Sequence, residues 1–298
     1  MYMINGVIIK GIGGLYSVKT AEGIYSCNAR GIFRKDSFKP MIGDFVKLGE
    51  LNRSEMSAVI DEILPRKNSL IRPAVSNVDR IVLVIASTAP APDLLLVDKL
   101  LVSANIKEIP VVLVVNKSDQ DNAVAENIYR VYSKCVEKCI MTSAIEKKGI
   151  DSLFECIGSG ISVLVGQSGA GKTTLSGIIL GDSELKTGTL SKKTERGKHT
   201  TRHSEIFPIP GYDDAYIIDS PGFSLFDLTD TESGELHCFY PEFSNCSDLC
   251  RFIDCSHTGE PGCVVDGLLS SGKFDKDRYA RYVFLYKELK EKEKNKYK

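Results

Sequence analysis

The chain has 298 residues, of which 43% are hydrophobic and 26% charged, which is typical of a soluble globular protein with two or three domains. No apolar run approaches the ~20 residues that a membrane-spanning helix needs, and the first residues lack the pattern of a secretory signal, so we expect a cytoplasmic protein. The formal net charge of −1 excludes a general attraction to nucleic acid, so any such binding has to come from local patches.

Residues 1 to about 66 predict a small β-barrel. Short β-type runs alternate with glycine turns, as in GVIIKGIGGLYSVKT and GDFVKLGEL, and this spacing is typical of barrels such as the OB type. The segment PRKNSLIRP (65–73) carries two prolines and basic residues and indicates a linker.

Within the barrel region, ARGIFRKDSFK (29–39) interleaves basic and aromatic residues. This composition suits single-stranded or irregular RNA, whose unpaired bases stack on aromatic rings. The alternative is a solvated loop with two core phenylalanines. The residues concerned are Arg30, Phe33, Arg34, Lys35, Phe38 and Lys39.

From residue 79 the pattern changes to strands that alternate with helices. Continuous apolar runs end in polar or glycine-rich loops, which is typical of parallel strands buried on both faces. This alternation predicts an α/β layer structure with ligands at the carboxyl ends of the strands. The four runs are IVLVIAS (81–87), VVLVV (111–115), ISVLVG (161–166) and AYIID (215–219).

The first loop of chemical interest is NKSD, formed by Asn116, Lys117, Ser118 and Asp119 at the end of a predicted strand. A carboxylate in the plane of guanine accepts from both N1–H and the 2-amino group, and adenine has neither donor there, so Asp119 would select guanine. Lys117 can lay its stem along the base, and Asn116 can tie this loop to a phosphate loop. Taken alone, the four residues are also compatible with a solvated turn.

Thr142, Ser143 and Ala144 follow the short run KCIM and are the expected companion of NKSD. A backbone N–H near Ala144 would point at guanine O6. By itself this tripeptide carries little information, and its meaning depends on the neighbouring motifs.

The segment GQSGAGKTT fits the phosphate-loop pattern GxxxxGK[ST], with an apolar strand before it and a helix start after it. Glycines let successive N–H groups point at phosphates, Lys172 would contact the β- and γ-phosphates, and the Thr173 hydroxyl would bind Mg²⁺. The alternative is an ordinary glycine-rich turn. The predicted nucleotide-binding residues of this loop are Gly166, Gln167, Ser168, Gly169, Ala170, Gly171, Lys172, Thr173 and Thr174.

Two later segments predict the switch elements that sense the γ-phosphate. Asp219 and Gly222 of DSPG fit DxxG, so Asp219 would hold Mg²⁺ through a water and the Gly222 N–H would meet the γ-phosphate. In GKHTTRH, Thr200 or Thr201 is the expected second Mg²⁺ ligand, with Thr201 preferred, because the γ-phosphate orders such loops. A plain strand start is the alternative for these threonines.

No glutamine follows DSPG to orient the attacking water, as it does in Ras-type enzymes. His199 or His203 is the nearest substitute, and a surface histidine is the alternative. The predicted catalytic set is therefore Lys172, Thr201, His199 and Gly222. We expect slow intrinsic turnover that a partner has to complete.

A cysteine cluster after residue 225 predicts a structural zinc site. Cys250, Cys255, His257 and Cys263 supply three thiols and one imidazole, the four ligands of a closed tetrahedral site. The spacing leaves Cys246 out, and free buried thiols are the alternative. The remaining cysteines are expected to be small core residues, namely Cys27, Cys135, Cys139, Cys156 and Cys238.

The last segment, KFDKDRYARYVFLYKELKEKEKNKYK, predicts a helix. Tyr279, Tyr282, Tyr286 and Leu289 fall on one helical face and predict the side that packs. The helix is richer in Lys and Arg than in acids, so it could add contacts to phosphate groups.

Along the chain, the base loop NKSD comes first, followed by its companion loop at Ser143 and Ala144 and by the phosphate loop GQSGAGKTT. The threonine segment GKHTTRH and the DxxG motif come last. This order is a circular permutation of the usual order in P-loop GTPases. Each strand can keep its place in the sheet, because only the connections change. The new cut follows DSPG, so whatever lies after residue 225 is tethered directly to the segment that responds to hydrolysis.

The combined motifs resemble the circularly permuted small-ribosomal-subunit biogenesis GTPases of the RsgA (YjeQ/YloQ) type over essentially the whole chain. The resemblance implies a multidomain fold with three parts. These are an N-terminal OB-type β-barrel over 1–66, a central α/β P-loop GTPase domain, circularly permuted, over 67–224, and a zinc-binding, mainly helical C-terminal domain over 225–298.

The resemblance also implies one structural zinc, Mg²⁺ with GTP, and the 30S ribosomal subunit with its 16S rRNA as partners. Hydrolysis would be stimulated by the subunit, late in its maturation. Thr173 stands where many relatives carry serine, which is chemically equivalent. Arg202 follows the paired threonines, and it leaves the choice between Thr200 and Thr201 open.

The leading hypothesis is a monomeric GTPase that binds the 30S subunit and is released on hydrolysis. An RNA-binding scaffold with guanine nucleotide as a structural ligand is the first alternative. A phosphatase acting on other nucleotides or small phosphoesters is the second.

Overall fold

The computed structural model divides the chain into two compact units. Unit 1 comprises Met1–Val82, Ile150–Gly166 and Lys172–Leu225, and unit 2 comprises Leu83–Gly149, Gln167–Gly171 and Phe226–Lys298. The residues that the structure describes are 3–31, 33, 39–71, 73–181, 205–219, 228, 231–244 and 249–296.

Five strands in unit 1 close into a barrel, in the order β1-β2-β3-β5-β4. Strands β3 and β5 are parallel, and β4 closes onto β1 in antiparallel fashion. This arrangement confirms the predicted OB-type barrel. The strands are β1 (Ile4–Ile12), β2 (Leu15–Thr20), β3 (Gly23–Ala29), β4 (Phe45–Asn52) and β5 (Ser57–Ile63). The barrel core consists of Ile8, Val18, Tyr25, Cys27, Val46, Leu48, Ala58 and Ile60.

The segment predicted to be a linker contains a strand and is anchored to the barrel. Strand β6 (Ser69–Leu70) pairs with β7 (Val75–Ser76). The fully buried Asp44 carboxylate accepts from Arg66 Nε and from Ser76 Oγ, both at 2.6 Å. Because a buried carboxylate needs partners for its oxygens, these contacts hold the segment in one position.

A six-stranded sheet forms the α/β part in the order β10-β9-β8-β11-β13-β12. Strand β9 is parallel to β10, β11 is parallel to β13, and β12 is antiparallel to β13. All four apolar runs of the sequence are strands, as predicted. The strands are β8 (Val78–Ala86), β9 (Val111–Asn116), β10 (Lys138–Met141), β11 (Gly160–Gly166), β12 (Ile206–Pro208) and β13 (Ala215–Asp219).

Among the described residues, four helices lie between these strands along the chain, and side-chain caps define where two of them begin. Asp93 accepts from Leu96 N at 3.0 Å at the start of α1, and Asp121 accepts from Val124 N at 3.0 Å at the start of α2. The helices are α1 (Leu94–Ile106), α2 (Asn122–Tyr132), α3 (Ile150–Ile157) and α4 (Lys172–Leu180).

The C-terminal region is mainly helical, as expected, and it shares one core with α1 in unit 2. Its described residues form the 3-10 helices Ser233–Phe239 and Pro241–Phe243, α5 (Val265–Ser270) and α6 (Lys276–Lys296). Val102 of α1 belongs to the same buried cluster as Phe243 and Tyr282. Tyr279 and Tyr286 pack against this cluster and Leu289 is buried in it, which confirms the predicted packing face of α6.

A buried ionic network also joins α6 to α1. Asp98 is fully buried and binds the guanidinium groups of Arg278 and Arg281, the latter at 2.6 Å. Arg278 donates from Nε to Glu242 Oε1 at 2.6 Å, and the Tyr132 hydroxyl donates to Asp98 at 2.8 Å. These two arginines of α6 therefore have acidic partners inside the protein and are not positioned for the phosphate contacts considered from the sequence.

Within the described ranges, none of the helices combines the length and the apolar composition that crossing a membrane requires.

Candidate functional site

The loop after β9 carries the predicted base-recognition residues. Asn116 ends a strand in which every residue is buried, and only 1% of its own surface is exposed. Lys117 has a φ of 63°, which turns the chain out of the strand. Its Nζ donates to Ala89 O at 2.6 Å, whereas Asp119 is exposed. The carboxylate is therefore accessible to a ligand at the carboxyl edge of the sheet.

The Asn116 amide connects three loops of unit 2. Its Oδ1 accepts from Thr142 Oγ1 at 3.1 Å and from Ala144 N at 3.2 Å. Its Nδ2 donates to Ala170 O at 2.9 Å, which is the tie to the phosphate loop that the sequence suggested. Because a buried amide is stable only with its partners in place, one side chain holds the three loops together.

The companion loop after β10 is a short hairpin. Ser143 and Lys148 exchange backbone hydrogen bonds of 3.2 and 3.1 Å, and Ser118 donates from Oγ to Thr142 O at 3.0 Å. A Cβ on Gly149, whose φ is 70°, would lie 2.2 Å from Met141 O, so this turn requires glycine. The Ala144 N–H, expected to point at guanine O6, is engaged with the Asn116 side chain in this structure.

The phosphate loop is a tight turn between β11 and α4. Gly169 and Gly171 have φ values of 81° and 94°, a region that favours glycine. A Cβ on Gly171 would lie 2.2 Å from Asn116 Nδ2, so a side chain there would break the tie between the loops. Lys172 begins α4 and donates from Nζ to Gly166 O at 2.7 Å. This segment therefore carries backbone N–H groups, an ammonium group and the start of a helix in succession, and all three favour binding of an anion.

Other predicted residues of this loop differ in exposure. Ser168 is exposed, Ala170 is fully buried, and Thr173 and Thr174 are exposed in the first turn of α4. An exposed Thr173 hydroxyl is accessible to a cation, and hydroxyl oxygen is a ligand that Mg²⁺ accepts.

A segment that the sequence analysis did not single out, STAPAPD (87–93), contacts both loops within unit 2. Gln167 donates from Nε2 to Ala91 O and accepts from Asp93 N, both at 3.3 Å. A Cβ on Gly169 would lie 3.2 Å from Pro90 Cδ. The segment follows a buried strand and contains two prolines, which was the signal for a rigid loop at the ligand-binding edge. Gln167, predicted to bind nucleotide, therefore uses its side chain to brace the loop.

The predicted switch residues lie outside the described residues. They are His199, Thr200, Thr201, Arg202, His203 and Gly222. Asp219 ends β13, but its side chain is not among those described, and neither are the residues Arg34, Lys35, Phe38 and Cys246.

The Cys/His cluster of the C-terminal region is assembled as predicted. The candidate ligand atoms of Cys250, Cys255, His257 and Cys263 all lie within 4.8 Å of one another. His257 Nδ1 is 3.4 Å from Cys263 Sγ and 3.5 Å from Cys250 Sγ. Three sulfurs and one imidazole nitrogen facing a common centre fit a tetrahedral metal site and leave no ligand position open.

The surroundings of this cluster fix its geometry and favour a cation. The Phe243 ring stacks on His257 with centroids 4.4 Å apart, and the N–H of Val264 donates to Cys250 Sγ at 3.4 Å. Burial raises the pKa of Cys263 to about 12 and lowers the pKa of His257. Buried thiolates are costly without a compensating charge, and a bound metal ion would supply that charge. The donor set therefore fits a soft divalent cation.

The loop that carries the cluster is itself held by a carboxylate. Glu260 accepts from the Ser256 hydroxyl and from the N–H groups of Ser256 and Thr258, at 2.8 and 2.7 Å for the two N–H groups. Burial alone would raise the pKa of Glu260, but these hydrogen bonds outweigh it and lower the pKa to about 2.

One expectation about the other cysteines needs correction. Cys238 is exposed and so is not a core residue, because it lies on the outer side of a 3-10 helix. In the barrel, Arg30 Nε lies 2.7 Å from Asp61 Oδ1, and Phe33 packs against the core. Because 47% of the Arg30 side chain is exposed, this arrangement is compatible with RNA contact as well as with the structural alternative.

Comparison with known proteins gives consistent matches over the chain. A family model described as RsgA GTPase matches residues 63–229, and one described as RsgA N-terminal domain matches residues 5–59. A protein of Ruminiclostridium cellulolyticum named small ribosomal subunit biogenesis GTPase RsgA is 43% identical, over 96% of this chain and 94% of its own. A protein of the same name from Caldanaerobacter subterraneus is 41% identical over 100% of both chains.

Two solved structures resemble the fold closely. YjeQ from Thermotoga maritima gives a TM-score of 0.81 at 30% identity and covers 97% of this chain and 99% of its own. YloQ, described as a circularly permuted GTPase, gives a TM-score of 0.77 at 30% identity and covers 98% of this chain and 96% of its own.

Proposed function

This chain is a GTP-hydrolysing enzyme of the RsgA GTPase family, and we propose that it binds the 30S ribosomal subunit and acts late in its maturation. Hydrolysis is stimulated by the subunit and coupled to release from it. The observation that supports a nucleotide site is the Asn116 amide, which joins the base loop, its companion loop and the phosphate loop within unit 2. The names of the relatives point to the small subunit as the partner.

GTP binding follows from the chemistry of these loops. Asp119 accepts from N1–H and the 2-amino group of guanine. Lys117 and Ser118 of the same loop, and Ser143 and Ala144 of the companion loop, form the rest of the base-binding site. The N–H groups of residues 166–174 surround the phosphates, and Lys172 neutralises charge on the β- and γ-phosphates. Binding energy at both ends of the nucleotide then gives selectivity for a guanine triphosphate.

Magnesium and the switch residues complete the site. Thr173, Thr201 and Asp219 offer the hydroxyl and carboxylate oxygens that Mg²⁺ prefers, and the ion would neutralise charge developing on the phosphates. Gly222 contributes an N–H to the γ-phosphate, and His199 orients the attacking water. Turnover is slow in the protein alone and becomes faster when the subunit completes this catalytic set.

The Cys/His cluster is proposed to hold one structural zinc ion. Cys250, Cys255, His257 and Cys263 form a closed set, so the ion stabilises the C-terminal region and takes no part in hydrolysis. The zinc region and the barrel contact 16S rRNA, in a protein that acts as a cytoplasmic monomer.

Coupling of hydrolysis to release rests on chain connectivity. The C-terminal region begins directly after DSPG, and it packs on α1 through the buried core and the Asp98 network of unit 2. Loss of the γ-phosphate frees the DSPG segment, and the tether transmits this change to a region that contacts the subunit.

The experiment that tests the proposal is a GTPase assay of the purified protein alone and with 30S, 50S or 70S particles, at two salt concentrations. The expected result is stimulation by 30S particles above the effect of the others, with a decrease at high salt because RNA contacts weaken. A hydrolysis rate that 30S particles leave unchanged, in a protein that binds GTP normally, would contradict it.

A second assay separates an enzyme from a scaffold. Subunit affinity is measured with a non-hydrolysable GTP analogue and with GDP, for the normal protein and for Lys172→Ala. The enzyme hypothesis expects tighter binding with the triphosphate and loss of this difference in the variant. Equal affinity with both nucleotides in the normal protein would favour an RNA-binding scaffold.

A further inference from the structure

An open groove of about 700 Å³ lies in unit 1 between α3 and the turn that joins β12 to β13. Helix α3 contributes Asp151, Phe154 and Glu155, and the turn contributes Pro210 and Tyr212. Residues three and four positions apart share one helical face, so α3 presents its two carboxylates beside the Phe154 ring. We call these residues the acidic groove.

Two aromatic rings form the wall of the acidic groove. The rings of Phe154 and Tyr212 are nearly parallel, at 9°, with centroids 6.3 Å apart. A Cβ on Gly158 would lie 2.8 Å from Tyr212 Cε1, so the glycine after α3 allows the tyrosine to take this position. The Tyr212 N–H donates to Ile209 O at 3.2 Å and fixes the turn, while 39% of Tyr212 is exposed. The groove is thus a built surface with an accessible aromatic face.

The charge around the acidic groove is negative. Asp151 and Glu155 are exposed, and Asp213 and Asp214 follow Tyr212 at the surface. Among the described residues that line the groove, none is lysine or arginine. Arg80 lies beside it, half-buried, and binds the carbonyl of Ser159. Since like charges repel, this surface does not suit the phosphate backbone of RNA.

We propose that the acidic groove binds an extended lysine- and arginine-rich segment of a partner protein. One guanidinium lies flat on the aromatic wall, where stacking and cation–π attraction favour arginine, and neighbouring cations pair with the carboxylates. The apolar stems of such side chains cover the rings while their charges stay hydrated.

The class of partner rests on the proposed function. Proteins that assemble on RNA carry basic arms of this composition, and a factor acting on the small ribosomal subunit would meet them there. Opposite charges steer such an arm towards the groove and help to set its register.

The test uses the full chain and a fluorescein-labelled peptide of alternating arginine and serine, followed by fluorescence anisotropy. The expected effect of Tyr212→Ala, or of the double variant Asp151→Asn with Glu155→Gln, is a peptide Kd about tenfold higher, from lost stacking or ion pairs. The matched control is Asp277→Asn with Glu291→Gln, which removes the same charge from exposed positions on α6 and should change the Kd by less than about twofold. Melting temperature and GTP affinity check that every variant is folded.

Three outcomes would overturn the inference. If the control variant weakens peptide binding as much as the double variant does, net charge alone is responsible. Unchanged peptide binding in the Tyr212 variant would remove the role of the aromatic wall. If an oligouridylate binds the normal chain and Tyr212→Ala abolishes that binding, the groove is a nucleic-acid site instead. Because the assay contains neither ribosomes nor GTP, its result is independent of whether 30S particles stimulate hydrolysis.

Discussion

Replacing Asn116 by alanine should destabilise the protein by about 3–5 kcal/mol. The substitution removes three hydrogen bonds, each contributing about 1 kcal/mol net, to Thr142, Ala144 and Ala170. All three partners are buried, so their polar groups are left without a partner or a path to bulk water, which places the loss at the upper end. Such a loss is a large fraction of a typical total stability of about 5–15 kcal/mol.

The assay is urea unfolding followed by circular dichroism, since the chain contains no tryptophan. GTP affinity of the folded variant is measured in parallel and should fall, because the base and phosphate loops are no longer held together. The control is Asn122→Ala, an exposed residue at the start of α2 whose amide binds Glu126, and it should cost less than about 0.5 kcal/mol. A loss below about 1 kcal/mol for the Asn116 variant, with normal GTP affinity, would refute the reasoning.

Three further outcomes are expected. Arg278→Met should lower the unfolding free energy by about 3–5 kcal/mol, because it leaves Glu242 without its cation and the buried Asp98 with Arg281 alone. Lys287→Met, an exposed position on the same helix, should have little effect. The purified protein should contain about one zinc per chain by elemental analysis. Cys255→Ser should lose the metal and melt at a lower temperature, whereas the control Cys238→Ser should resemble the normal protein in both respects. The depressed pKa of Glu260 contributes stability above its ordinary value of 4.5 that is lost as pH falls towards about 2, so Glu260→Gln should be less stable at neutral pH and the two proteins should converge in acid.

Local motifs at strand ends made the nucleotide-site hypothesis possible from sequence. A strand that is apolar throughout and ends in a glycine-rich or charged loop places that loop at the carboxyl edge of the sheet, whatever the order of the strands. The order of NKSD and GQSGAGKTT therefore exposed the permutation without any three-dimensional information. The Cys/His spacing was equally informative, because three cysteines and a histidine this close together in a chain are typical of a zinc site.

Contacts between distant segments were not predictable in the same way. Arg278 binds Asp98 at a separation of 180 residues, and nothing local in either helix encodes the pairing. One signal existed: Arg278 precedes Tyr282 by four positions and Leu289 by eleven, so it lies on the packing face of α6. A charged residue on such a face is usually assigned to the surface, since burial of an arginine depends on acidic partners elsewhere in the fold.

The phosphate loop also combines features that the sequence predicts with contacts that it does not predict. Its glycines and Lys172 follow from the motif, but the side chain of Gln167 is directed to Ala91 and Asp93, which the motif does not specify. A pattern defines residue types at given spacings and leaves open which of them contact ligand and which brace the loop.

The central claim is that Asp119 and Lys172 hold opposite ends of one guanosine triphosphate. The most direct test compares the affinities of GTP and xanthosine triphosphate for the normal protein, Asp119→Asn and Lys172→Ala. Xanthine carries a 2-oxo group in place of the 2-amino group of guanine. Asp119→Asn should therefore weaken GTP binding at least tenfold, because each charge-assisted hydrogen bond lost costs about 1.5–3 kcal/mol. The same variant should bind xanthosine triphosphate more tightly than the normal protein does. Lys172→Ala should weaken both nucleotides alike. Unchanged GTP affinity in the Asp119 variant would contradict the account.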